Sequence, residues 1–291
     1  MATVVLESSV RDEVRRVVAR KVGSGELEVP LMPAIAQRLL SLSSDPDASA
    51  REFAEVIRLD QQLAARVLRI ANSPVYSARG GITNLKQAIV TVGVRTLRDL
   101  GLAVSMGERV FRSKLFDTPM QRVWKHSIAT AFIAKRIADV KRWDTGFAFL
   151  GGLLHDSGKP VLFLALEGVL RQRAEWGALG SLLADDIVRE FHAEVGGLVA
   201  RAWKFPDELH DAIRWHHKYD EAPSGRPVAR LLHAANLFAH AVGFRSYEVE
   251  EDITLVKEPS LREMGIGPAD IELISKNLSE KVHSLIDGFT S

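Results

Sequence analysis

The chain has 291 residues, 38 basic and 37 acidic side chains, and a formal net charge of +1. At ~150 residues per domain this is one large domain or two modest ones, and a composition 46% hydrophobic and 26% charged excludes global disorder. The absence of cysteine excludes a disulfide scaffold, a thiolate zinc site and a cysteine nucleophile, and the balanced charge makes no electrostatic case for nucleic acid or an anionic membrane as partner.

Helical periodicity runs along the chain. Val10, Val14, Val17 and Val18 mark an N-terminal helix within residues 1–24, and Arg11, Arg15, Arg16, Arg20 and Lys21 beside them read as its solvated face. Gly23, Gly25 and Pro30 break the pattern. Ser49 and Glu52 have capping-box spacing ahead of Phe53, Val56 and Ile57, and Leu59, Leu63, Val67 and Ile70 recur on one helical face. A loop is expected over Asn72–Pro74 and Gly80–Gly81, and a hinge over Arg112–Pro119. These breaks delimit one helical unit over residues 25–112 and a second over 119–243, the latter interrupted by a loop at Pro223–Pro227. In a C-terminal extension over 244–291, Pro268 suits a first helical turn and Ile271, Ile274, Leu278, Val282 and Leu285 form a stripe. No alternating run supports a sheet, so the expected fold is all-α, a two-part helical bundle. The longest segment free of Asp, Glu, Lys and Arg is Leu231–Phe244, too short for a span of ~20 apolar residues. Met1–Glu7 carries no signal-peptide pattern, and a cytoplasmic location is expected.

Eight of the nine histidines lie between His126 and His240. His126 shares a face with Val123, Thr130, Ile133 and Ile137 and should point inward. His155 and Asp156 follow the apolar run Phe147–Leu154 and precede Gly158, a residue suited to ending a helix. An adjacent imidazole and carboxylate there offer nitrogen and oxygen donors to one ion, and a buried Asp is costly without such a partner. His192 precedes Gly196 and Gly197, where missing side chains admit another helix. On Leu231–Val242 a polar stripe of His233, Asn236 and His240 faces away from Leu231, Ala235 and Phe238, in a segment apolar nearly all round, so it faces an internal polar space. Donors of this kind suit Mn, Fe, Ni, Zn or, with fewer nitrogens, Mg. Such a site can activate water and clamp a phosphoryl group, to which Lys159 could offer charge. A hydrogen-bonded internal network without metal is the competing reading.

GLLHDSGK (Gly152–Lys159) resembles the motif that names the HD superfamily of metal-dependent phosphohydrolases. Leu31–Leu42, Ile57–Ser77 and Ile82–Leu100 resemble the HDOD domain, an HD-related all-helical module of bacterial signalling, and the likeness extends over roughly residues 27–240. The resemblance implies that His126, His155, Asp156, His192, His216 and His217 stand at metal-ligand positions, with Asn236 where the superfamily carries a final aspartate, and that Lys159 matches the lysine of HD-GYP phosphodiesterases. HDOD domains are regarded as degenerate relatives, and this chain lacks the Gly-Tyr-Pro segment, reading Tyr219–Pro223 instead. The expectation is a regulatory protein that binds a signalling protein or a small ligand between its halves, with a divalent metal possible and neither nucleic acid nor membrane as partner. The alternative is a metal-dependent phosphohydrolase in which Asp156 and Lys159 are catalytic.

Overall fold

Helix follows helix in the computed structural model, which describes residues 2–43, 45–77, 80–110, 113–143, 146–172, 177–247 and 253–290; among these no strand occurs. Arg112, where the hinge is expected to begin, and the side chain of Val10 lie outside the described residues.

The first unit holds α2 (Ala34–Ser43), α3 (Ala50–Arg58), α4 (Gln61–Ala71), α5 (Leu85–Val92) and α6 (Val94–Val110). The capping box forms: the Glu52 amide donates to Ser49 Oγ, and the Ser49 amide donates to the Glu52 carboxylate. Leu63, Val67 and Ile70 are buried as their spacing requires, but Leu59 is not on their helix. It ends α3 and is 64% exposed, because Asp60 caps a new helix by accepting from the amides of Gln62 and Leu63. Asn72 pins the following loop to itself, donating to the carbonyls of Leu68 and Ile82 and accepting from the Ile82 amide.

The second unit holds α7 (Asp117–Lys141), α8 (Ala148–Leu154), α9 (Gly158–Gln172), α10 (Gly177–Ala202), α11 (Asp207–Arg214) and α12 (Arg226–Ala241). Long α7 is buried along most of one side, from Met120 to Ala138, and α8 and α12 pack on it. Gly152 lies where a Cβ would stand 2.6 Å from the Ala131 Cα, so α8 can touch α7 backbone to backbone. Gly158 opens α9 instead of ending a helix. A Cβ there would stand 2.0 Å from the His192 carbonyl oxygen and 2.6 Å from the Gly196 amide, so the contact between α9 and α10 requires glycine at this position.

The N-terminal helix docks on the second unit and the C-terminal helix on both. The N-terminal helix α1 (Ala2–Ser24) packs on α9 and α10 of the second unit, with Val14 and Val18 buried, Arg15 donating to Glu190 and Arg11 near Asp186. After α13 (Pro259–Glu263), the expected C-terminal stripe is split between α14 (Pro268–Ser275) and α15 (Leu278–Thr290), with Asn277 in the left-handed region between them (φ 54°). Helix α15 packs on both α4 and α7. A cleft of about 740 Å³ lies where the units meet, lined by Met32, Leu40, Leu102, Phe147, Trp203 and Phe205, and the Trp203 indole donates to the Pro30 carbonyl across it (2.8 Å). No helix among the described residues is long and apolar enough to cross a membrane.

Candidate metal centre

Five segments of the second unit bring the predicted residues to one buried place. His126 comes from α7, and His155 and Asp156 from the turn between α8 and α9, with Lys159 in the first turn of α9. His192 comes from α10, His216 and His217 follow α11, and Asn236 lies on α12. His126, His155, Asp156, His192 and His216 are each at most 2% exposed, whereas His217 reaches the surface. Donor atoms of His126, His155 and Asp156 lie within 4.8 Å of one another, as do those of His192, His216 and His217. Asp156 joins the two groups: its Oδ2 is 3.4 Å from His155 Nε2 and 3.6 Å from His126 Nε2, and its Oδ1 is 3.5 Å from His192 Nε2.

The backbone fixes how these rings are turned. His126 Nδ1 is 2.7 Å from the Phe244 carbonyl, His155 Nδ1 is 2.8 Å from that of Gly152, and His216 Nδ1 is 2.7 Å from that of Ile213. His192 Nδ1 lies 2.9 Å from the Arg189 carbonyl. A carbonyl only accepts, so each neutral ring carries its proton on Nδ1 and turns the Nε2 lone pair inward. His126 Nε2 and His155 Nε2 then face each other at 3.2 Å as two acceptors. A proton could bridge them, but burial lowers the pKa of both rings, His126 the more strongly. A metal cation would satisfy the pair. Donors bound at ~2.1 Å in tetrahedral or octahedral geometry stand roughly 3.0–3.4 Å apart, close to the separations found here. Carbonyl-anchored imidazoles are also the usual outer support of histidine metal ligands. The His192–His217 contact, 2.9 Å between Nε2 atoms, differs: a His217 proton on Nε2 would satisfy it unaided.

Lys159 sets its charge against the carboxylate, its Nζ donating to Asp156 Oδ2 at 2.6 Å and to Ser246 Oγ at 2.7 Å. Burial opposes ionisation of Asp156, but the groups around it, His155 and Lys159 foremost, hold its carboxyl well below the ordinary range. Burial likewise lowers the Lys159 ammonium, against the pull of Asp156. His192 is pushed down to about 3, chiefly by burial and then by Lys159.

Several participants carried no sequence signal. Ser246 and Tyr247 follow α12, and the Tyr247 ring lies 5.0 Å from Lys159 Nζ and 4.8 Å from the Arg189 guanidinium. His240, placed on the polar stripe but given no ligand role, is 3% exposed and 4.9 Å from His126 between ring centroids. His233 turns aside instead, its Nδ1 3.0 Å from the His216 carbonyl. Among the described residues, His216 Nε2, Asn236 Oδ1 and both ring nitrogens of His240 are buried without a hydrogen-bond partner. Each such group costs about 1–3 kcal/mol, and here they gather at one site.

Comparison with known proteins places this arrangement. An uncharacterized protein of Treponema pallidum (strain Nichols) is 25% identical over 72% of this chain and 42% of its own length. Ribonuclease Y of Thermus thermophilus is 33% identical over 57% of this chain and 24% of its own. The chain thus spans less than half the length of these relatives. Among solved structures, an HDOD domain protein of unknown function from Geobacter sulfurreducens is 25% identical, with a TM-score of 0.69 over 95% of this chain and 97% of that one. A Shewanella amazonensis SB2B protein, provisionally named a metal-dependent phosphohydrolase, has a TM-score of 0.70 at 20% identity over 97% and 99% of the two chains. The HDOD domain itself matches residues 29–219, from the segment before α2 to the turn after the histidine pair, and the chain belongs to the HDOD family.

Proposed function

We propose that this chain is a regulatory, signal-transducing HDOD protein that acts by binding a partner protein or a small ligand, with a divalent transition metal held in its second unit by His126, His155, Asp156, His192, His216 and His217. The facing Nε2 lone pairs of His126 and His155 carry the metal assignment. Two features favour binding over turnover. The first is Asn236, which offers a neutral oxygen where the superfamily has a carboxylate, and the second is the absence of the Gly-Tyr-Pro segment, for which the chain reads Tyr219–Pro223. The cleft between the units offers a small ligand room. A bound metal would supply Lewis acidity and bound water at this site, and tie its five segments together.

One observation supports phosphohydrolysis as a second reading. A cavity of about 540 Å³ reaches His192 and His217 and is bordered by Arg189, Arg214 and Lys218 together with Glu190 and Glu194, so its mouth carries a small excess of positive charge that a phosphoester could use. Metal content by inductively coupled plasma mass spectrometry, on untagged protein beside His155→Ala, tests the first claim. Stoichiometric transition metal absent from the variant is expected, and a wild type that stays empty after reconstitution with Mn²⁺, Fe²⁺ and Zn²⁺ removes it. A panel of phosphomonoesters, nucleotides and single-stranded RNA (the last because of the ribonuclease Y likeness) then separates the two readings. Metal-dependent turnover above the His155→Ala background would establish the enzyme, and none is expected for a binding protein.

A further inference from the structure

The unpartnered atoms on α12 extend the metal assignment to residues that neither motif nor family resemblance singles out as a pair. His240 is 3% exposed, and neither ring nitrogen has a partner. It stands against the His126 ring (4.9 Å, 59° between planes) on one side and the Tyr247 ring (5.2 Å) on the other. Asn236 lies one helical turn earlier, 7% exposed, with Oδ1 equally unsatisfied. Apart from His216 Nε2, itself an atom of the proposed centre, the remaining unsatisfied atoms of the described core are of another kind. Serine hydroxyls can rotate to find a partner, and the Nε atoms of Arg122 and Arg230 each belong to a guanidinium with further donors. A buried imidazole with neither nitrogen used has no such outlet. Helix α12 is buried nearly all round, and of its polar stripe His240 lies against the His126 ring of the cluster, whereas His233 lies against Tyr219.

We infer that His240 is a further metal ligand and that Asn236 Oδ1 lies beside it as a neutral donor, so that α12 contributes nitrogen and amide oxygen to the centre in place of a carboxylate. The inference rests on the metal-centre reading given above and adds a selectivity to it. With His240 the donors available in the cluster become six imidazoles and one carboxylate, more than any one ion uses, and a group this rich in nitrogen suits Fe²⁺, Co²⁺, Ni²⁺ or Zn²⁺ and disfavours Mg²⁺, an ion that prefers oxygen ligands.

Cobalt(II) is the probe, because its visible d–d absorption reports the ligands around it. Metal-stripped wild type, His240→Ala, His240→Leu and His155→Ala are titrated with Co²⁺, with and without millimolar Mg²⁺, and far-UV circular dichroism confirms folding. Should the alanine variant fail to fold, the leucine variant keeps the buried volume filled. Expected are Co²⁺ binding to the wild type that excess Mg²⁺ does not displace, and weakening by about tenfold or more in either His240 variant with an altered d–d spectrum. An unchanged affinity and spectrum in folded His240 variants, while His155→Ala loses the ion, would overturn the role of His240 and leave the metal centre standing. Absence of Co²⁺ binding in the wild type would overturn the centre itself.

Discussion

Asp156 and the rings around it show how much of the site belongs to single residues. Burial holds His126, His155 and His216 below their ordinary pKa, His192 at about 3 and His240 at about 4. These rings are neutral in the folded metal-free protein, whereas the unfolded chain protonates them near pH 6.5. Between those limits the unfolded state binds more protons, so stability falls as pH falls from about 6.5 toward 4, and protonation of Asp156 can add to the loss only at still lower pH. Each ring that stays neutral down to pH 5 contributes on the order of 2 kcal/mol of that loss between pH 7 and pH 5, so we expect chelator-treated protein, with several such rings, to lose several times that amount, followed by the urea midpoint; a midpoint unchanged over that range would contradict the buried neutral rings. The burial of His126, His155 and Asp156 was legible in sequence, because His126 lies on an apolar helical face and His155–Asp156 ends an apolar run. Their tautomers were not. The proton on His126 is set by the carbonyl of Phe244, more than a hundred residues away, and no local pattern encodes that meeting.

At the scale of the element, signals that act within one turn were readable and those set by a neighbouring helix were not. The Ser49–Glu52 box and Pro268 stand where their local chemistry puts them. Gly158 and Leu59 were misread because the first answers to α10 and the second to the cap that Asp60 places after it. Two glycines of α9 make this testable. Gly158→Ala would drive a Cβ into the His192 carbonyl, forcing α9 from α10 and displacing a proposed ligand. A loss of about 1–3 kcal/mol in chemical denaturation, together with weakened metal binding, is expected. Gly168 lies in the same helix, exposed and with nothing within 4 Å of an added Cβ. Gly168→Ala should raise stability by roughly 0.5–1 kcal/mol and leave metal content alone. Equal effects from the two would mean that the close approach at Gly158 is not what orders this corner.

Across the whole molecule the helices at the two ends of the chain dock differently, α1 on α9 and α10 of the second unit and α15 on both α4 of the first and α7 of the second. The all-α, two-part character was legible in periodicity and breakers, but the docking of α1 on the second unit was not, since Val14 and Val18 name no partner. The bonds at the two ends differ in kind. Arg15 and Glu190 form a largely exposed ion pair, and Glu190→Gln should cost at most about 1 kcal/mol. Phe289 of α15 is buried edge-on against Trp124 at 6.0 Å, and Phe289→Ala should cost about 3–5 kcal/mol by urea denaturation; the reverse ranking would place the main fastening at α1. Helix α15 also lies close enough to α4 that a Cβ on Gly288 would meet Ile70 at 3.0 Å. That contact has a consequence during synthesis. The surface of α4 around Ile70 leaves the ribosome uncovered and waits for roughly 200 more residues before α15 exists to cover it. At ~5–20 residues per second, that is about 10–40 s of exposed apolar helix, an interval in which a nascent chain of this protein would present a binding site for a chaperone that the finished protein has closed.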